Sequence, residues 1–255
     1  MLLYSYLNSY YQTGLKSPLD DAILVHEQQD INGFQKIDEV PFDFVRRRVS
    51  VVVEKERQRL FLAKGAPGEI LKVSSYCEIG GLPVDLTEEL RKKAEQKYFD
   101  LSSEGFRVLG VAYRKLREEK AVYSVNDEAD MVFLGFVAFL DPPKETAKES
   151  LKLLSNAGIE LKILTGDNEL VARKTCEQLV FEIKGVALGT EIAQMHDDAL
   201  ARVVEEANVF ARVNPAQKDR IINLLKGQRT CRRVYGLWYQ RCAFFEDLGC
   251  RCVCQ

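Results

Sequence analysis

The chain has 255 residues, enough for one large domain or two ordinary ones, and 46% hydrophobic against 29% charged residues excludes a disordered polypeptide. Thirty-six Lys and Arg against 38 Asp and Glu leave a formal net charge of -2, which argues against a general nucleic-acid binder. No window approaches the ~18–20 consecutive apolar residues of a membrane span, and MLLYSYLNSYYQTG at the N-terminus has neither the basic start nor the long apolar run of a signal peptide.

In chain order, residues 1–24 read as helical pieces around a turn at Gly14–Pro18, followed by a polar loop near Gly33. Phe42–Val53 alternates β-branched and aromatic residues and predicts a strand, with Arg46, Arg47 and Arg48 facing alternate sides. Glu54–Arg59 is a charged turn and Leu60–Ala63 a second strand, so the two form a hairpin, broken by Lys64-Gly-Ala-Pro-Gly68. A helix is predicted over Glu69–Tyr76. A second covers Leu86–Leu101, where Leu90, Ala94, Tyr98 and Leu101 keep a helical period. Gly105–Arg114 and Met131–Leu140 are further strands, and this half is an α+β domain.

After Asp141-Pro-Pro143 the rhythm changes to alternating strand and helix. Glu145–Ala157 is an amphipathic helix with Ala147, Leu151 and Leu154 on one face, Ile159–Leu164 a strand, and Asn168–Leu179 a helix burying Leu170, Ala172 and Cys176. Val186–Leu188 and Val209–Arg212 are strands, Asp197–Ala207 and Pro215–Lys226 helices. That alternation predicts a parallel, doubly wound α/β sheet.

Three short segments can carry chemistry. Ile163-Leu-Thr-Gly-Asp167 puts a hydroxyl, a glycine and a carboxylate where a strand passes into a helix, the end at which open parallel sheets bind ligands and where helix amides suit an anion. Thr, Asp and Asn are also common N-caps, so helix capping alone accounts for this segment as well. Phe210-Ala-Arg-Val-Asn-Pro-Ala-Gln-Lys218 places a lysine in a helix's first turn, against the macrodipole, which points to an anion partner or to a solvated surface lysine. Lys64-Gly-Ala-Pro67 offers a point charge and a backbone that a ligand can approach, or is simply the exit turn of a hairpin.

Taken together, Lys64-Gly-Ala-Pro, Asp141-Pro-Pro-Lys-Glu, Leu164-Thr-Gly-Asp-Asn and Phe210-Ala-Arg-Val-Asn-Pro-Ala-Gln-Lys resemble the cytoplasmic nucleotide-binding and phosphorylation domains of P-type cation-transporting ATPases. The resemblance runs through residues 1–228, and Phe42-Asp-Phe-Val-Arg-Arg-Arg, Phe139-Leu-Asp-Pro-Pro-Lys-Glu-Thr and Asn8-Ser-Tyr-Tyr-Gln-Thr-Gly-Leu-Lys look most like the magnesium-transporting branch. It implies a nucleotide-binding domain with an antiparallel sheet over 1–138. It also implies part of a haloacid-dehalogenase-like phosphorylation domain, with a parallel sheet, over 139–228. ATP would be held in the first by Asp43, Lys64, Gly65 and Arg107, with Asp141 at the hinge. In the second, Thr165 and Gly166 would hold the transferred phosphoryl group, Asp167 would stand at the helix start, and Lys218 would neutralise charge. The implied cofactors are ATP and Mg²⁺. The implied setting is the cytoplasmic side of the plasma membrane, where the whole protein would couple ATP hydrolysis through a phosphoaspartate to Mg²⁺ transport.

The sequence departs from the family in two places. It contains no Asp-Lys-Thr-Gly run to supply the nucleophile, and no Gly-Asp-Gly-x-Asn-Asp to help hold Mg²⁺, so this chain alone is expected to bind ATP without hydrolysing it. The alternatives are a free-standing haloacid-dehalogenase-like phosphatase, for which no N-terminal Asp-x-Asp is found before residue 40, and a non-catalytic ATP-binding module. Residues 229–255 hold five of the seven cysteines. Back-translated and read one nucleotide later, they permit Gly-His-Val-Val-Gly-Phe-Met-Gly, one further codon, and Gly-Ile-Asn-Asp-Ala-Pro, the segment otherwise missing. They therefore read as a frame-shifted tail. A zinc tail is the rival reading, but Cys250-x-Cys-x-Cys254 does not match common zinc spacings.

Overall fold

The computed structural model describes residues 1–227 apart from 15, 117–119, 121 and 141–142, so the 229–255 tail and Asp141 lie outside the described residues. The chain divides into two units: Met1–Ile159 with Asp167–Glu182, and Glu160–Gly166 with the residues from Ile183 onward.

In the first unit, helices α1 (Leu2–Tyr11) and α2 (Pro18–His26) precede strands β1 (Gln35–Val40), β2 (Arg48–Lys55) and β3 (Gln58–Gly65). Helix α3 (Pro67–Val73), β4 (Ser74–Ile79), β5 (Leu82–Asp85), α4 (Glu88–Ser103), β6 (Phe106–Leu116) and β7 (Met131–Leu140) follow, then α5 (Glu145–Asn156) and α6 (Glu169–Gln178). The seven strands form one sheet in the order β1-β2-β3-β6-β7-β4-β5, antiparallel throughout except where β4 runs parallel to β7.

Strands β2 and β3 are apolar at consecutive positions because both faces are covered. Val51, Val53, Leu60 and Leu62 pack with Leu7 of α1, and Val52, Phe61 and Ala63 pack with Ile70 and Leu71 of α3. Each fully buried Val, Leu or Phe contributes about 1.5–3 kcal/mol, so this double layer carries the unit. Helix α4 leans Leu90 and Ala94 on the α3 side, and its Arg91 guanidinium donates to the carbonyls of Leu71 (2.6 Å) and Ser74 (3.1 Å) at the end of α3. Helix α2 starts at a capping box in which Ser17 and Asp20 bond each other's backbone, with Pro18 in the first turn.

The expected strand over Phe42–Val53 begins only at Arg48. The Asp43 carboxylate accepts from the amides of Val45 (2.7 Å) and Arg46 (2.8 Å), which winds 41–47 into a turn, and Arg47 lies in the left-handed region at φ 51°. The three arginines therefore do not alternate across a strand. The hairpin exit differs too: β3 runs on through Lys64 and Gly65, and α3 ends at Val73 rather than Tyr76 because β4 starts there. Strands β1, β4 and β5 carry no long apolar run and were not predicted. The β4–β5 hairpin turns at Gly80 and Gly81 (φ 61° and 83°), the paired left-handed conformation that a two-residue loop of this kind needs.

The second unit has a three-stranded parallel sheet in the order β8-β10-β9, from β8 (Ile163–Leu164), β9 (Val186–Leu188) and β10 (Val209–Ala211). The chain also forms a single turn, α7 (Gly189–Ile192), and helices α8 (Asp197–Glu206) and α9 (Pro215–Gly227). Ile192, Leu200, Val204, Phe210 and Ile221 make its core. Strand β8 is shorter than the expected Ile159–Leu164; Lys162 just before it sends its ammonium to the carbonyl oxygens of Glu205 (3.3 Å) and Ala207 (2.9 Å) at the end of α8. On α6 the buried residues are Val171, Ala172 and Cys176, so Val171 takes the place expected of Leu170. On α5 only Ala147 is buried. Among the described residues, no helix is long and apolar enough to cross a membrane.

Candidate functional site

Strand direction gathers the candidate residues of the first unit at one end of the large sheet. Strand β2 begins there, β3 ends there, and β6, antiparallel to β3, begins beyond it, since Gly65 pairs with Gly110. The connection 41–47, the Lys64-Gly-Ala-Pro turn and Arg107 therefore share that end. Two backbone features lock the first two together. The Ala66 amide donates to the Arg47 carbonyl (2.9 Å), and a Cβ on Gly65 would stand 2.5 Å from that oxygen and 2.6 Å from the Arg48 Cα. Gly65 is thus required for close approach of the chain to itself.

Lys64 is placed otherwise than its motif suggested. Its ammonium is buried, 3% exposed, and donates to Asp20 and to the Ser9 hydroxyl. Asp20 also accepts from the Ser17 amide and hydroxyl (both 2.8 Å) and from Ser9 (3.0 Å). Burial pushes the Asp20 carboxyl up, but the Lys64 ammonium and the Ser17 donors outweigh it and hold the group below the usual carboxylate range. Asp43 is the turn-former already described; the Arg46 amide first, then the Val45 amide and the Arg46 guanidinium, hold its carboxyl low as well.

Arg107 donates from Nη2 to the Asp167 carboxylate (2.9 Å), a pair that is largely buried on both sides. Next to it, Asn168 caps α6 through the Val171 amide (3.0 Å), and its amide nitrogen donates to Tyr98 and Ser102 of α4 (3.1 Å each). The capping reading of this segment is therefore realised at Asn168.

Two features of this end were not singled out as site residues from the sequence. Phe42 and Phe44 stand 43% and 57% exposed in an edge-to-face pair, ring centroids 5.4 Å apart. Exposed aromatics in a turn were visible in the sequence but absorbed by the expected strand. Glu128 is buried against Arg46, Arg48 and Ser50 from about eighty residues away, and no local pattern could have disclosed it.

In the second unit, Thr165 lies just past β8: its amide donates to the Phe210 carbonyl (2.8 Å) and its carbonyl accepts from the Val213 amide (3.1 Å). Gly166 follows it. Lys218 is half-buried in the first turn of α9, with its amide on the Asn214 carbonyl (3.0 Å), while Asn214 and Gln217 exchange side-chain-to-amide bonds as a capping box. Among the described residues, no group of three His, Cys, Asp or Glu side chains could hold a metal ion.

An antiparallel sheet wrapped by helices, with aromatic and basic residues at one strand end, defines a domain class that comparison identifies. The family model described as P-type ATPase, cytoplasmic domain N, matches residues 17–146, and the chain belongs to the P-type ATPase family. Its relatives include the magnesium-transporting ATPase, P-type 1, of Escherichia coli strain K12, 42% identical over 228 residues (87% of this chain, 25% of the relative). The protein of the same name from Salmonella typhimurium strain 14028s is 43% identical over the same shares. The calcium-transporting ATPase 1 of Lactococcus lactis is 28% identical over 90% of this chain and 27% of its own. The chain thus spans about a quarter of the length of these relatives.

Proposed function

We propose that the first unit binds ATP at the strand end formed by the 41–47 turn, the Lys64–Pro67 turn and Arg107, and that the chain acts within a magnesium-transporting P-type ATPase. The observation that carries this is the convergence of those three segments on a domain that matches the family's domain N. The exposed faces of Phe42 and Phe44 suit a stacked base. Arg107 suits a phosphate oxygen once it exchanges Asp167 for the ligand. Lys64 and Gly65 enter as the buried anchor of the turn, and Asp43 as its former. Asp141 remains a proposed hinge.

For the second unit the reading is a haloacid-dehalogenase-like phosphorylation domain, in which Thr165, Gly166 and Lys218 hold a phosphoryl group; Asp167 falls in the first unit, on Arg107. The nucleophilic aspartate, the Mg²⁺-holding carboxylates and the membrane part belong to the whole ATPase in this reading, and Mg²⁺ would be both the companion of ATP and the transported ion. Titration of the ¹⁵N-labelled chain with ATP tests it. Shifts should concentrate at 42–47, 64–68 and 106–108, with a dissociation constant on the order of 0.1–1 mM. Phe42→Ala and Arg107→Ala should each weaken binding. Saturable binding with no shift in those segments would place the nucleotide elsewhere.

A further inference from the structure

Glu128 belongs to none of the sequence motifs, yet its side chain has no exposed surface and its carboxylate is fully engaged. Arg46 Nη1 donates to both oxygens (2.7 and 2.8 Å), Arg48 Nε to one (2.7 Å) and the Ser50 hydroxyl to the other (2.6 Å). The rest of the Arg46 guanidinium folds back on the connection, with Nε on Asp43 and Nη2 on the Pro41 carbonyl. One buried carboxylate therefore ties together both ends of the turn that runs from Pro41 to Arg48.

Besides this clasp the turn has its own polar bonds, from the Val45 and Arg46 amides to the Asp43 carboxylate and from the Ala66 amide to the Arg47 carbonyl, but little apolar packing. Phe42, Phe44 and Val45 are 43%, 57% and 88% exposed, so apolar packing does not fix their positions. Arg47 sits at φ 51°, a conformation that costs a non-glycine residue energy and persists only where its surroundings over-determine it. A buried acid between two guanidinium groups is an expensive way to gain stability, because well-packed apolar side chains of the same volume do as well or better. What the arrangement supplies instead is a fixed direction for the two arginines and, through the Arg46 bonds to Pro41 and Asp43, a fixed place for the segment that carries the aromatic pair.

We infer that Glu128 is a positioning residue for nucleotide binding. It does not touch the nucleotide; it holds the Phe42–Phe44 turn in the shape that receives it. The inference rests on the ATP-binding reading above.

A double-mutant cycle with ATP as the probe separates the two. Dissociation constants are measured for the full chain, Glu128→Gln, Phe42→Ala and the double variant, with the spectrum of each checked for the native fold. Glu128→Gln should weaken ATP about tenfold in the wild-type background and less than about twofold in the Phe42→Ala background, because the effect passes through the turn. A folded Glu128→Gln chain that binds ATP as the wild type does, or that loses the same factor in both backgrounds, overturns the inference alone. A wild-type chain that binds no ATP overturns the underlying reading, and this inference with it. Should Glu128→Gln fail to fold, Ser50→Ala and Arg46→Gln, which each remove only part of the clasp, take its place in the cycle with the same two outcomes.

Discussion

Removing the Lys64 ammonium should destabilise the first unit before it affects any ligand. In Lys64→Met most of the apolar stem is kept and the charge is lost. Asp20, whose side chain is 6% exposed, would keep the two Ser17 donors on Oδ2 and the Ser9 hydroxyl on Oδ1 but would be left a buried anion without a counter-charge. Breaking a buried pair from one side costs about 3–5 kcal/mol, and the three surviving donors put this case near the lower bound. Asp20→Asn, which strands the ammonium instead, should cost a similar amount. The double variant buries no charge and should lose less than the two single losses combined, with a coupling of about 1–3 kcal/mol. Urea denaturation followed by far-UV circular dichroism measures all three. The Asp20 carboxyl is held below its usual range in the folded chain, so its contribution is complete above the unfolded value near about 4 and is lost as pH falls through the lower folded value. The gap between wild type and Lys64→Met should therefore narrow as pH drops from 7 towards 3. Additive single losses, or a Lys64→Met chain within about 1 kcal/mol of wild type at pH 7, would refute the reasoning.

Three further outcomes follow from the geometry. The β2–β3 turn places Glu56 and Arg57 at φ 52° and 63° without glycine, so Glu56→Asn with Arg57→Gly should raise stability by about 1–2 kcal/mol, read as a higher urea midpoint. Gly65→Ala drives a methyl into backbone atoms that cannot yield, and should cost about 1–3 kcal/mol and shift the amide resonances of both 46–48 and 64–67. Burial pushes the Cys176 thiol up to about 11, so peptide mapping after iodoacetamide treatment at pH 8 should find Cys176 unmodified in the folded chain and modified in urea.

Local pattern made much of this fold legible. The β2–β3 hairpin, α4, β6, β7 and the alternation after residue 143 all show in period and punctuation, because each element's buried face is written in its own residues. Strands β1, β4 and β5 did not show: Gln35–Val40 and Leu82–Asp85 are edge strands with little to bury, and their place is set by their neighbours. Phe42–Arg47 misled for the opposite reason. Its composition suits a strand, but one carboxylate, Asp43, takes the amides that a ladder would need. Among candidate site residues, the motifs pointed to Lys64, Gly65, Arg107 and Asp167, but not to the pairing of Lys64 with Asp20 or of Arg107 with Asp167. Side-chain partners 44 and 60 residues apart leave no mark on a single sequence.

Helices on both faces of β2 and β3 divide the unit's tolerance of change into two kinds. A substitution in mid-strand meets packed side chains on either side and registers as a loss of folded protein at unchanged affinity. A substitution of Phe42, Phe44 or Val45 in the exposed turn before β2 meets little packing and, on the ATP-binding reading proposed above, registers as altered affinity in a chain that still folds. Sorting variants by position along the strand, rather than by residue type, should therefore separate abundance defects from binding defects before any assay is run.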